Sequence, residues 1–225
     1  MQDSSVHPVV LVVRTIAETA IANEAYFGEL DSVVGDGDFG FSLARGFEKV
    51  LEGLDGFDQS SAGALLKRVG LTIASRVGGT SGPIWGTAFL RAGGAAGAKT
   101  ELSGADVVAM LRAAVEGIQT RGGASLGDKT LLDALVPAID RLEADLPAGG
   151  VDALANAAGV AERAATETSG MLAKRGRASY TGERSIGSPD PGAVAIGVTA
   201  NCVSAAWREY CSAKGAMERH EEIRQ

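Results

Sequence analysis

The sequence predicts an all-α fold, with eight amphipathic helices running up and down, each antiparallel to the next. Three observations carry this. Apolar residues recur at spacings of three and four through eight separate segments. No stretch of any length alternates like a half-buried strand, and there is no strand–helix–strand rhythm. Aromatic residues make up only 5% of the chain against 31 glycines and abundant alanine, which suits closely packed helices better than a β-rich core.

The first helix runs from residue 8 to about 28. Val9, Val12, Val13, Ile16, Ala20 and Ile21 form its apolar stripe, and Pro8 suits a first turn. An acidic loop follows, then a second helix over 41–54 with Leu43, Phe47, Val50 and Leu51 inward. Ser60 or Ser61 caps a third, which carries Leu65, Leu66, Val69, Ile73 and Val77 and ends at Gly78-Gly79. A fourth, rich in small residues, spans 83 to about 98. Ser103 caps a fifth with Val107, Leu111, Ala114, Val115 and Ile118 on one side. A sixth carries Leu131, Leu135, Ile139, Leu142 and Leu146 and breaks at Pro147. A long seventh covers about 151–175. Residues 175–192 are too rich in glycine, proline and charge for a helix. An eighth helix, 193 to about 216, closes the domain, and the charged tail from about 217 is expected to fray.

The 225 residues suit one domain, or at most two small ones, with chain enough for a sizeable core. A formal net charge of -7 argues against a general affinity for nucleic acid. No apolar run approaches the ~20 residues of a membrane span, and the N-terminus does not read as a signal peptide. Cys202 and Cys211 fall about half a turn out of phase on one helix, too far apart to bridge within it. Reduced thiols and a cytoplasmic location follow. His7 and His220 lie near the termini, away from every motif, so zinc or His-based catalysis has little to build on.

Antiparallel order puts the connections after the first, third, fifth and seventh helices at one end. Those four are the chemically unusual ones. The first holds Asp31, Asp36 and Asp38, with glycines that let the chain turn and aim all three at one point. Three such carboxylates repel one another unless a cation sits between them. Oxygen-only ligands favour Mg²⁺ or Ca²⁺ over zinc. The bland alternative is a solvated acidic turn. The glycine of Asp36-Gly37-Asp38 falls one position early for an EF-hand, and no acidic twelfth ligand follows.

In Gly78-Gly79-Thr80-Ser81-Gly82-Pro83, amides and hydroxyls precede a helix, where they either hold phosphate oxygens or cap it. Gly127-Asp128-Lys129-Thr130 lacks the strand and glycine spacing of a P-loop, so Lys129 reads as a first-turn surface or structural residue. Leu131 lies against a base or in the core. Arg177 and Arg184 either fork onto phosphates or bridge to the acidic loop. Asp190 either bonds a ribose or caps the last helix.

With these residues in view, the chain resembles the L subunit of dihydroxyacetone kinase, the nucleotide-binding half of that enzyme, over nearly its whole length. The resemblance rests on four motifs in order: Asp31…Gly35-Asp36-Gly37-Asp38, Gly78 to Pro83, Gly127 to Leu131, and Gly176 to Gly187 followed by Asp190-Pro191-Gly192. It implies one nucleotide-binding domain over 1–225, an eight-helix antiparallel barrel with the nucleotide in the loops at one end. It implies two Mg²⁺ ions on Asp31, Asp36 and Asp38, bridging the phosphates of ATP or ADP. Phe39, Gly40, Phe41, Ser42, Thr80, Ser81, Gly122, Leu131, Arg177, Asp190, Pro191 and Gly192 take positions that line the nucleotide in the family.

The implied activity is phosphoryl transfer to a short-chain ketose held by a separate K-type subunit, so that this chain alone phosphorylates little. The donor is free ATP, or bound ADP recharged by a phosphotransferase-system protein, and no residue decides between them. A homodimer is left open. The family usually has histidine where this chain has Phe39, and His-Leu where it has Ser188-Pro189. Phenylalanine can neither donate a hydrogen bond nor carry charge. That keeps alive a non-catalytic sensor of ADP or metal. The nucleotide domain of a fatty-acid kinase is a third reading, disfavoured by the short chain.

Overall fold

The computed structural model describes residues 7–223, the backbone alone at His7 and over 217–223. The described residues form nine α-helices and no strand: α1 (His7–Ala22), α2 (Glu24–Ser32), α3 (Phe39–Gly53), α4 (Ala62–Arg76), α5 (Ser81–Ala96), α6 (Gly104–Gly122), α7 (Leu132–Asp145), α8 (Gly150–Glu167) and α9 (Pro191–Ile223). α1 and α2 both pack on α3, each later helix packs on the next around the ring, and α9 returns to α1, which closes the barrel.

The helix starts follow side-chain chemistry. Ser61 caps α4 by accepting the Ala64 amide. Ser103 and Asp106 form a reciprocal capping box at α6. One half of the core gathers Val13, Phe27, Leu43, Phe47, Leu65, Val69 and Ile73 from the first helices. Trp85 and Phe89 meet the Phe47 ring edge-on at 6.4 and 6.2 Å. The other half gathers Val115, Ile118, Leu132, Ile139 and Ala157 from α6, α7 and α8. Small residues let α4 and α5 approach closely. A Cβ on Gly70 would sit 2.8 Å from the Gly86 carbonyl oxygen.

Five sequence expectations are corrected. The single first helix is two, α1 and α2, divided at Asn23 (φ -106°), whose side-chain amide donates to the Thr19 carbonyl at 2.8 Å. Together they fill the place of one expected helix. Asp31 therefore lies on the last turn of α2, not in the loop. The seventh expected helix, α8, stops at Glu167, and Thr168–Gly170 is a 3₁₀ turn. Within 175–192, Arg177–Ser185 winds into 3₁₀ turns kinked at Gly182. The last helix continues through the charged tail to Ile223. Cys202 and Cys211 are free thiols on that helix. The side chains of His7 and His220 lie outside the described residues. Among the described residues, no helix is long and apolar enough to cross a membrane.

Candidate functional site

One cleft of about 240 Å³ lies at the end of the barrel where the four unusual connections meet. Asp31 enters it from α2, Asp36 and Asp38 from the α2–α3 connection. One oxygen from each carboxylate lies within 4.8 Å of the other two. The local backbone makes this convergence. The Gly35 amide donates to the Asp31 carbonyl at 2.6 Å, and a Cβ on Gly35 would collide with the Asp31 carboxylate. Gly37 takes φ +75°, a conformation that glycine adopts without strain. The Phe39 amide donates to Asp31 Oδ2 at 3.4 Å. The guanidinium of Arg177 pairs with Asp36 across the cleft.

Opposite the acids, Gly78, Gly79, Thr80 and Ser81 lead into α5. No side chain caps this helix: Thr80 occupies the N-cap position without a side-chain hydrogen bond, unlike Ser61 and Ser103 at their helices. Thr80 and Ser81, each with a hydroxyl, border the cleft at the positive end of this helix.

Gly122, Ala124, Lys129, Thr130 and Leu131 line the third side, with Ile84, Trp85 and Ile118 as an apolar wall. Leu131 does both things open to it: it packs on the α6–α8 core and borders the cleft. Arg175 to Ala178 and Asp190 to Gly192 complete the fourth side.

Of the residues singled out from sequence, Asp31, Asp36, Asp38, Phe39, Thr80, Ser81, Gly122, Leu131, Arg177, Asp190, Pro191 and Gly192 border the cleft. Gly40, Phe41 and Ser42 do not. Gly40 is buried against α2. Phe41 is exposed beneath the Arg45 guanidinium, 5.2 Å from the ring centroid. Ser42 Oγ approaches Gly78. Phe39 turns its ring partly into the core, 6.1 Å from Phe27. Arg184 stands away from the cleft, near the Thr181 carbonyl.

Asp190 caps the last helix: its Oδ2 accepts the Ala193 amide at 2.8 Å. Burial pushes its carboxyl up to about 7, with neighbouring Asp133 adding and Lys129 opposing. Lys129 is not a surface residue. It is 3% exposed and holds the backbone at φ +62°. The bond network around Asp128, Lys129 and Asp133 was not foreseen. Only the polar run before an apolar helix hinted at it. Asp133 accepts the Gly127 and Thr130 amides. Asp128 accepts the Ser125 amide and pairs with Arg175 at 3.0 Å, which together hold its carboxyl below the usual range.

The model of the DAK2 domain matches residues 33–205. The chain is 42% identical over 173 residues to the ADP-binding subunit DhaL of the PEP-dependent dihydroxyacetone kinase of Escherichia coli K12, covering 76% of this chain and 82% of that one. It is 38% identical over 193 residues to the L-erythrulose 1-kinase of Mycolicibacterium smegmatis, covering 84% of this chain but 33% of that longer protein. The dihydroxyacetone kinase of C. freundii, solved in complex with AMP-PNP and Mg²⁺, superimposes with a TM-score of 0.71 at 26% identity. The match covers 88% of this chain, which spans only 33% of that one.

Proposed function

The chain belongs to the DAK2-domain family, and on that premise we propose that it is the nucleotide-binding, phosphoryl-transferring subunit of a dihydroxyacetone-type kinase. Its acceptor is a short-chain ketose presented by a K-type subunit, without which this chain turns over little. The donor is ATP, or ADP recharged in place by a phosphotransferase-type protein. Relatives named as PEP-dependent and PTS-dependent dihydroxyacetone kinase subunits support the second donor, and the erythrulose kinases extend the acceptor class.

The observation that carries this reading is the convergence of Asp31, Asp36 and Asp38 opposite the uncapped start of α5. The donor set fits a hard divalent cation, being all carboxylate and close enough to share ions. Asp31, Asp36 and Asp38 would hold two Mg²⁺. A metal held there would supply positive charge against the phosphates of the nucleotide. The chain's own groups do the rest. The amides and hydroxyls at Gly79, Thr80 and Ser81 take up phosphate oxygens. Ile84, Trp85, Ile118 and Leu131 exclude water and bear on the base and ribose. Arg177 exchanges Asp36 for two oxygens of a phosphate, which its fork grips as it would a carboxylate, and frees Asp36 for the metal.

Calorimetry tests the reading. ADP and ATP bind the wild type in Mg²⁺, and Asp36→Ala weakens this at least tenfold, ~1.4 kcal/mol. Equal affinity with and without the Asp36 carboxylate refutes it. Mixing the chain with a K-type subunit, ATP and a panel of ketoses then decides between kinase and sensor. A sugar phosphate supports the kinase; none from any ketose supports the sensor.

A further inference from the structure

We infer that Lys129 is a positioning residue for the nucleotide site, a buried ammonium that clasps the α8–α9 connection to the start of α7. This rests on the nucleotide-binding reading and assigns a role to a residue which that reading leaves without one.

An ammonium has three N–H donors. Lys129 uses all of them on main-chain carbonyls of a single distant segment: Met171 at 3.2 Å, Ser188 at 2.7 Å, and Ser185. The side chain is therefore committed, and no N–H is left to meet a phosphate. This separates it from a phosphate-binding lysine of the P-loop kind, although it borders the cleft.

The bonds are made at a cost. Among the described residues, Lys129 is the one non-glycine residue at positive φ. A left-handed backbone is strained outside glycine, and burying a cation is costly unless its donors are met. A chain held this way has a reason to be so held, and the reason lies in what the clasp carries. The segment tied down by Met171, Ser185 and Ser188 brings Arg177 and Asp190 to the cleft. Glycines at positive φ interrupt it, at Gly176 (+63°), Gly182 (+60°) and Gly187 (+106°), so it has little stiffness of its own.

Neighbouring bonds reinforce the same seam. The Lys174 amide donates to the Asp128 carbonyl at 3.0 Å, and Lys174 Nζ to the Gly127 carbonyl at 2.9 Å. Those bonds are partly exposed. Lys129 supplies the buried anchor.

The test compares Lys129→Met, which keeps the apolar stem, with Lys129→Arg, which keeps the charge but replaces three convergent donors by a planar fork. Two readouts are taken: Mg²⁺–ADP affinity by calorimetry, and amide hydrogen exchange over 171–190. Lys129→Met is expected to weaken ADP at least tenfold and to raise exchange across that segment while the other helices stay protected. Lys129→Arg gives the same pattern to a smaller degree and stands in should the Met variant not fold. A lowered melting temperature with unchanged ADP affinity in the folded variant overturns the proposal, because a merely structural lysine would behave so. If the wild type binds no nucleotide, the function is refuted instead. Exchange over 171–190 still decides the clasp: faster in the variants, it stands; unchanged, it falls.

Discussion

At Asp190 a carboxylate is taken out of water while its Oδ2 accepts the Ala193 amide and starts α9. The two demands pull apart, since the cap favours the ionised form and burial disfavours it. Burial wins, with the carboxyl raised from 3.8 to about 7. The facing charges are Lys129, which favours ionisation, and Asp133, which opposes it. The sign of the pH effect follows. Below 3.8 the group is protonated in the folded and unfolded chain alike. As pH rises from there to about 7, the unfolded chain releases a proton that the folded chain retains, so this group's contribution to stability falls. Asp190→Asn keeps the capping oxygen and removes the titration. Denaturant midpoints should therefore move in the variant's favour between pH 4.5 and pH 7.5. A constant difference across that range would show that burial does not govern Asp190. The sequence left this residue open between a ribose contact and a cap. It could not show the choice, because the cap depends on where the chain re-enters the barrel after a long connection.

At the scale of elements, α2 and α3 set the spacing of the acids. Asp31 rides on α2, while Asp38 immediately precedes α3. The two helices touch through glycine: a Cβ on Gly40 would collide with the Glu24 carbonyl oxygen and lie 2.6 Å from the Gly28 amide nitrogen. These are backbone atoms with no rotamer to yield. Gly40→Ala is thus expected to push α2 off α3, destabilising the fold by about 1–3 kcal/mol as overpacking does. It should also weaken Mg²⁺-dependent ADP binding, although Gly40 does not border the cleft. Normal ADP affinity in a destabilised Gly40→Ala protein would show that the acid spacing is set elsewhere. This contact was invisible in the sequence for a definite reason. No glycine or proline breaks the chain at Asn23, and its side-chain bond to Thr19 marks where one helix becomes two. Likewise Thr168 ends α8 early because its hydroxyl accepts the Asp190 amide at 2.8 Å, a tertiary bond that overrides a helix-prone stretch. The caps were legible, the first as Ser60 or Ser61 and the second as Ser103, because capping is local and a serine before an apolar run tells of it.

For the whole molecule, alternation alone places four connections at one end of a closed ring, and the structure brings all four to one cleft. That much followed from counting helices. What counting misses is that the site and the ring share their fastenings. The connections that border the cleft join α2 to α3, α4 to α5, α6 to α7 and α8 to α9, so a ligand bound there bears on the links between eight helices. In its absence the three acids are crowded together and repel one another, relieved in part by the pairing of Arg177 with Asp36. Binding at the cleft should then stabilise the barrel as a unit. At a free concentration a hundred times its Kd, a ligand of the folded state adds about 2.7 kcal/mol, which for a domain of this size raises the melting temperature by roughly 5–10 °C. A thermal scan with ADP and Mg²⁺ together is expected to show a single transition moved by that amount. Mg²⁺ alone should move it less, and Asp36→Ala should remove the joint effect. A scan that splits into two transitions, with only one of them shifted by ligand, would mean that part of the ring melts independently of the cleft.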